Sequence, residues 1–135
     1  MVIYSIIQKS KLEGAHRIDA EYYQPEYLEV ANRLISLPHE TLENISESLV
    51  SFGAYSLTNY IEWHEAGIPF IVAENIKEGF IDFEGVRYID EKTDEVLKKS
   101  RVFKNQVLLS MSGSVGNATI AKDIPLKLNS NQDIV

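Results

Sequence analysis

The stretch QVLLSMSGSVGNATIA, residues 106–121, contains two strand-like runs separated by a turn of small residues. The runs cover residues 107–111 and 118–121, and the turn between them contains Gly113 and Gly116. Because glycine adopts positive φ without a steric penalty, this order of residues predicts a β-hairpin. A nucleotide-binding phosphate loop is not predicted, since neither a Lys-Ser or Lys-Thr pair nor a helix follows the glycines.

Short strands and helices are predicted on the N-terminal side of this hairpin. IPFIVAENI, residues 68–76, is rich in β-branched and aromatic residues, which predicts a buried strand. Residues 80–89 predict two short strands or a hairpin. Residues 90–101 begin with acids and end with cations, the charge order that favours a short helix. An earlier helix is predicted to begin at Pro25 and to end before Pro38.

Together these elements predict an α+β fold with a small twisted mixed or antiparallel sheet and a few short helices. Residues 1–39 are expected to form an N-terminal arm and a helix, and residues 40–135 a sheet-containing domain. Residues 133–135 resemble a strand that is just starting, so the domain is expected to be incomplete.

The composition excludes several classes of site. The chain has no cysteine, so it has no disulfides, zinc-thiolate sites, iron-sulfur clusters or thiol nucleophiles. His16, His39 and His64 lack the spacing of metal ligands, and no pair of carboxylates lies in a recognisable acid-base frame. No apolar run approaches the roughly 18 residues needed to cross a membrane, and the first residues lack a secretory leader, so a cytoplasmic protein is expected.

Charge is unevenly distributed along the chain. The formal net charge is -7, from 13 basic and 20 acidic residues, although proteins that bind phosphates normally have a basic surface. Residues 98–127 contain six cations and one acid, a net charge of +5. This segment is therefore expected to face any phosphate backbone, and the simpler alternative is a solvated face on an acidic protein.

Several short motifs follow one another from about residue 17 to the end of the chain. They are the lead-in RIDAEYYQPEYLEV (17–30), Gly-Ile-Pro before the buried strand (67–69), Gly-x-Ile-Asp (79–82), Tyr-Ile before the helix (88–89), Ser-Arg (100–101), Gly-Ser-Val-Gly (113–116) and Asn-Gln (131–132). In this order and spacing they resemble the target-recognition domain of a DNA-specificity subunit of Type I restriction-modification systems. One departure is Asn105-Gln106, where the family has aspartate or glycine before the strand.

The resemblance implies DNA recognition without catalysis. The domain would read a particular DNA sequence and direct the modification (methyltransferase) and restriction (motor-nuclease) subunits to it. No cofactor is expected, because in such systems the methyl donor binds the modification subunit and ATP binds the motor-nuclease subunit. Complete subunits have two recognition domains joined by two long helices, so the resemblance implies that residues 40–135 are part of one target-recognition domain.

Three groups of residues are candidates for contact with double-stranded DNA. Phosphate contacts are expected from the basic segment, at Lys98, Lys99, Arg101, Lys104 and Lys122. Contacts to phosphates or base edges are expected from the glycine turn and from short amides, at Ser112, Gly113, Ser114, Asn129, Asn131 and Gln132. The polar loop 51–59 offers a second reading surface with Ser51, Tyr55 and Asn59. Each group has a simpler alternative as an ordinary turn, loop or solvated surface.

Two other functions are left open. The chain could be a protein-protein interaction or self-associating fragment of such a subunit that does not bind DNA by itself. The net charge of -6 over residues 1–68, from four basic and ten acidic side chains, favours this alternative. A homodimer is expected in that case, because unpaired strand edges promote exchange between copies. A small hydrolase that uses His64 as a base is the third alternative.

Overall fold

A computed structural model of the chain describes residues 4–12, 19–50 and 61–135. The chain divides into two compact units, Met1–Glu47 and Ser48–Val135. The helices of the described residues are α1 (Pro25–Ile35), α2 (Leu42–Ile45) and α3 (Glu91–Val96). The strands are β1 (Ile68–Ile71), β2 (Ile76–Lys77), β3 (Phe80–Ile81), β4 (Arg87–Ile89), β5 (Val107–Leu109), β6 (Ala118–Ile120) and β7 (Asn129–Ser130). Short 3-10 turns cover Lys9–Lys11, Ala73–Asn75 and Lys98–Ser100.

The first unit contains α1, α2 and irregular backbone. Pro25 is the first residue of α1, where its missing N–H removes no helical hydrogen bond. The helix ends at Ile35, three residues before Pro38. None of the α1 side chains is buried, so its apolar stripe is exposed at Tyr27, Val30, Leu34 and Ile35. This first unit therefore has little core of its own among the described residues.

The centre of the second unit is a three-stranded mixed sheet with the order β4-β1-β7. β1 pairs antiparallel with β4 and parallel with β7. Both faces of β1 are buried, because Ile68 and Phe70 pack with Leu97 whereas Ile71 packs with Leu128 in a second cluster. A central strand that is covered on both faces needs a nearly continuous apolar run, which explains the sequence IPFI.

Two small antiparallel hairpins, β2–β3 and β5–β6, complete the second unit. In the β5–β6 hairpin Leu108 is buried, whereas Val107 and Ile120 pair across the strands and are exposed. On the other edge of β5, the Leu109 N–H donates to the Val135 carbonyl at 2.7 Å, and the Val135 N–H donates back at 3.0 Å. The C-terminal residues therefore lie alongside β5.

The structure confirms the predicted fold class: it is an α+β fold with mixed and antiparallel sheets and a few short helices. The hairpin within residues 106–121, the buried strand β1 and the helices α1 and α3 are all present. Residues 80–89 contain two short strands that do not form a hairpin with each other, because β3 pairs with β2 and β4 pairs with β1. The first compact unit extends to Glu47, beyond the boundary predicted after residue 39.

Candidate nucleic-acid interface

The glycine turn between β5 and β6 is exposed and is fixed by local hydrogen bonds. Gly113 and Gly116 have φ values of 67° and 91°, which favour glycine. The Ser110 hydroxyl donates to the Ser114 carbonyl, and the Gly116 N–H donates to the Ser110 carbonyl at 3.0 Å. No described atom beyond their chain neighbours lies within 4 Å of a Cβ placed at either glycine. The outer side of the turn is therefore open to a ligand, with Ser114 exposed and Ser112 half-buried.

Two of the three predicted amide residues lie beside this turn. The Met111 N–H donates to the Asp133 carbonyl at 2.7 Å, which brings residues 131–133 next to the start of the turn. Asn131 is half-buried and its Nδ2 donates to Asp133 Oδ2 at 2.7 Å. Gln132 is also half-buried, and its Oε1 is itself buried and has no hydrogen-bond partner among the described residues. One end of the hairpin therefore carries a group that we call the turn-end surface: Ser112, Gly113, Ser114, Asn131 and Gln132.

Asn129 has a different environment from the one predicted, because its side chain is fully buried at 0% exposure. Its Nδ2 donates to Asp94 Oδ1 at 2.9 Å. Its Oδ1 accepts hydrogen bonds from the Ser100 hydroxyl at 2.6 Å and from the Ser130 N–H at 2.8 Å. The amide thus joins β7 to α3 and to the turn after α3. In this fold Asn129 is a buried structural residue, so its side chain is not exposed at the surface as the predicted base contact requires.

Arg101 is held by two carboxylates and is not the free phosphate contact that was predicted. Its Nε donates to Asp94 Oδ2 at 2.9 Å, and its Nη2 lies 2.7 Å from both Asp94 Oδ2 and Glu95 Oε2. The Asp94 side chain is 1% exposed and that of Arg101 is 30% exposed. Hydrogen bonds to Asp94 and then Glu95 raise the pKa of Arg101, and its hydrogen bond lowers the pKa of Glu95. The positive charge of Arg101 is therefore paired with two carboxylates of α3.

The remaining cations of the basic segment differ in whether an acid neutralises them. Lys98 Nζ lies 3.8 Å from Glu95 Oε1, and Lys127 pairs with Glu91. Three lysines are exposed and have no ion pair with any described residue: Lys99, Lys104 and Lys122. Half of the six cations in this segment are thus paired with acids from α3, and the other half are not.

Lys104 and Lys122 lie together at the other end of the β5–β6 hairpin. The Asn105 N–H donates to the Ala121 carbonyl at 2.8 Å, and the Ala121 N–H donates to the Gln106 carbonyl at 2.9 Å. These bonds bring the turn before β5 against the residues after β6. The two lysines are therefore separated from the turn-end surface by the length of the hairpin. From Gln106 to Met111 this is about 17 Å for extended backbone.

The loop predicted to be a second reading surface, with Ser51, Tyr55 and Asn59, lies outside the described residues. Its role in DNA recognition stays a prediction.

A stack of side chains that the sequence analysis did not identify lies at the edge of the mixed sheet. The Arg87 guanidinium carbon is 3.7 Å from the centroid of the Trp63 ring. The Trp63 ring in turn meets Phe70 edge to face, with centroids 5.4 Å apart and planes at 68°. Because Trp63 and Arg87 are far apart in sequence and meet only through strand pairing, no local motif predicts their contact.

A cavity of about 680 Å³ in the second unit is the remaining candidate site, and His64 is among its lining residues. Asp90, which also lines it, accepts a hydrogen bond from the Thr93 N–H at 2.7 Å and so caps α3. Hydrogen bonds from Thr93 lower the pKa of Asp90. The cavity's described lining residues include no Ser, Thr, Tyr or Cys that could supply a hydroxyl or thiol nucleophile. The hydrolase alternative stays a hypothesis.

Two further features are absent from the described ranges 4–12, 19–50 and 61–135. They contain no group of three or more His, Cys, Asp or Glu side chains that could hold a metal ion. They also contain no helix with the length and apolar character to cross a membrane. Comparison with known protein families found no match for this chain, and comparison with curated proteins found none.

Proposed function

We propose that this chain is the sequence-reading module of a Type I restriction-modification specificity subunit. It binds double-stranded DNA in the cytoplasm and directs modification and restriction subunits to a target site, without catalysis or a cofactor of its own. The observation that carries the proposal is the turn-end surface, where an exposed glycine turn, two serines and two amides lie at one end of a hairpin. Exposed backbone N–H groups, hydroxyls and amides are the groups that read base edges and phosphates.

The dimensions of the β5–β6 hairpin fit this proposal. The major groove of DNA accommodates a two-stranded β-ribbon and is about 8.5 Å deep. The hairpin extends about 17 Å from the turn to Lys104 and Lys122. When the turn enters a groove to its full depth, the backbone at these lysines stays about 8 Å beyond the phosphates, a gap that only their long side chains narrow. The two ends of the hairpin would therefore have different tasks, base reading at the turn and charge neutralisation at the lysines.

Salt-dependent binding to a pool of random duplexes tests the proposal. Each of Lys99→Gln, Lys104→Gln and Lys122→Gln should reduce the slope of log affinity against log salt by about one unit, because each removes one phosphate contact. Lys127→Gln is the comparison variant, since Lys127 pairs with Glu91, and it should reduce the slope by less than the substitutions of the three unpaired lysines do. Undetectable affinity of the unmodified chain at low salt would refute the proposal.

A second function, association with another protein or with a second copy of the chain, is favoured by exposed apolar side chains. α1 buries none of its apolar stripe, and Val107 and Ile120 form an exposed apolar pair on the outer face of the β5–β6 hairpin. Large exposed apolar patches are typical of interaction surfaces. Light scattering over a range of concentrations tests self-association, and Leu34→Glu should shift any dimer towards monomer.

A further inference from the structure

The three-stranded sheet places Arg87 at the same end as the terminal amides. β1 and β7 are parallel, so their carboxyl ends lie at the same end of the sheet. There the Asn131 N–H donates to the Ile71 carbonyl at 3.0 Å. β4 runs in the opposite direction and begins at that end with Arg87, which lies opposite Phe70. Adjacent strands are about 4.8 Å apart, so β4 and β7 are separated by about 10 Å.

The Arg87 guanidinium is held against Trp63, and its N–H groups make no side-chain hydrogen bond among the described residues. Trp63 holds it from one side, and Trp63 is itself fixed by its contact with the buried Phe70. Among the described residues, Arg87 has neither a carboxylate within ion-pair distance nor a side-chain hydrogen bond. A cation-π contact uses the face of the guanidinium plane, whereas its five N–H donors lie along the edges. Arg87 can therefore bind an acceptor without first breaking an ion pair.

The chemistry of this stack matches a phosphate. A planar guanidinium donates two parallel hydrogen bonds to a phosphate group, and a surface arginine beside an aromatic ring is a combination that nucleic-acid-binding proteins use. The separation of about 10 Å between β4 and β7 is close to the major-groove width of about 12 Å. A duplex whose groove receives the turn-end surface would thus have a phosphate strand within reach of Arg87.

We propose that Arg87, stacked on Trp63, is a phosphate-contacting residue that positions duplex DNA beside the turn-end surface. This inference rests on the proposed function, since the ligand is the same duplex. Neither residue is part of the basic segment 98–127, so the stack adds a contact outside the region where the charge of the sequence is concentrated.

Trp63 provides a direct readout, because it is the only tryptophan in the chain. The full chain is titrated with a random-sequence duplex while Trp63 emission and affinity are followed at several salt concentrations. Emission should change on binding. Arg87→Ala should weaken affinity by roughly 5- to 100-fold and reduce the salt slope by about one unit. Arg87→Lys should keep most of the slope and lose part of the affinity, because lysine keeps the charge without the planar donor fork.

Lys92→Ala is the matched control, since Lys92 is an exposed cation of the same unit outside the proposed contact, and it should leave affinity unchanged. If the unmodified chain binds the duplex and both Arg87 variants bind with the same affinity and slope, the inference is wrong and the proposed function stands. If no form of the chain binds the duplex at low salt, the proposed function fails as well. A Trp63 response to polyglutamate but not to the duplex would overturn the inference in favour of a protein carboxylate. Thermal melting of Arg87→Lys confirms that loss of binding is not loss of folding.

Discussion

Arg87 and Arg101 stand at the two ends of one row of residues across the mixed sheet, yet their surroundings differ completely. The row is Arg87, Phe70, Asn129 and Arg101, connected by successive strand and bridge pairings. Arg101 donates to Asp94 and Glu95, whereas Arg87 lies on the ring of Trp63. Position in a basic segment therefore does not decide whether a cation is free of an acidic partner, because the tertiary fold supplies the acid.

The largest effect on stability is expected at Asn129, which is buried in the hydrogen-bond network that also contains Asp94 and Arg101. Asn129→Ala removes the amide that donates to Asp94 and accepts from Ser100, and it leaves buried polar groups without partners. We expect a loss of about 2–4 kcal/mol in the free energy of unfolding. Chemical denaturation of the two proteins measures this difference.

Asn131→Ala is the matched control, because Asn131 has the same side chain on the half-buried turn-end surface. This substitution should lower the free energy of unfolding by less than about 1 kcal/mol. Equal losses for the two asparagine variants would contradict the assignment of Asn129 to the core and Asn131 to the surface.

Replacing each arginine by alanine compares the two environments directly. Arg87→Ala should lower the free energy of unfolding by only about 0.5–1 kcal/mol, the usual contribution of an exposed cation-π contact. Arg101→Ala should cost more, because it leaves the buried Asp94 carboxylate without its cationic partner. For DNA affinity the order should reverse, with Arg87→Ala the weaker binder. A larger stability loss from Arg87→Ala than from Arg101→Ala would contradict the environments assigned to the two arginines.

The smallest effect is expected on the stability of the protein at low pH, through the hydrogen bond between Arg101 and Glu95. The hydrogen bond from Arg101 lowers the pKa of Glu95 below its ordinary value of 4.5. The stability that Glu95 contributes is therefore present above pH 4.5 and is lost as pH falls through its lowered pKa. The melting temperature of the unmodified chain should thus decrease more between neutral pH and about pH 3 than that of Glu95→Gln. Glu78→Gln changes an exposed residue outside this network, and its melting temperature should decrease with pH as that of the unmodified chain does.

Local patterns were sufficient to predict most of the fold. The small-residue turn predicted the β5–β6 hairpin, and the apolar run at residues 68–76 predicted the buried strand, because glycine conformation and β-branched packing act over a few residues. Strand partners were not predictable in this way. β4 pairs with β1 rather than β3, since pairing depends on contacts between distant residues.

The candidate site was predictable only in part, for the same reason. The sequence predicted the glycine turn and the amides as separate candidates, and their proximity follows only from the fold. It could not distinguish Asn129 from Asn131, although only Ser130 separates them, because burial of Asn129 depends on Asp94 and Ser100. Nor could it identify Arg87, whose partner Trp63 comes from another part of the chain.

Selection of bound sequences from a random duplex pool tests most directly whether the turn-end surface reads DNA. The unmodified chain should enrich one defined sequence, and Ser114→Ala with Gln132→Ala should lose that enrichment while keeping salt-dependent binding. Lys104→Gln should lower the affinity for all duplexes and leave the enriched sequence unchanged. Salt-dependent binding by the unmodified chain with no enriched sequence, or the same enrichment after both turn-end substitutions, would contradict the account.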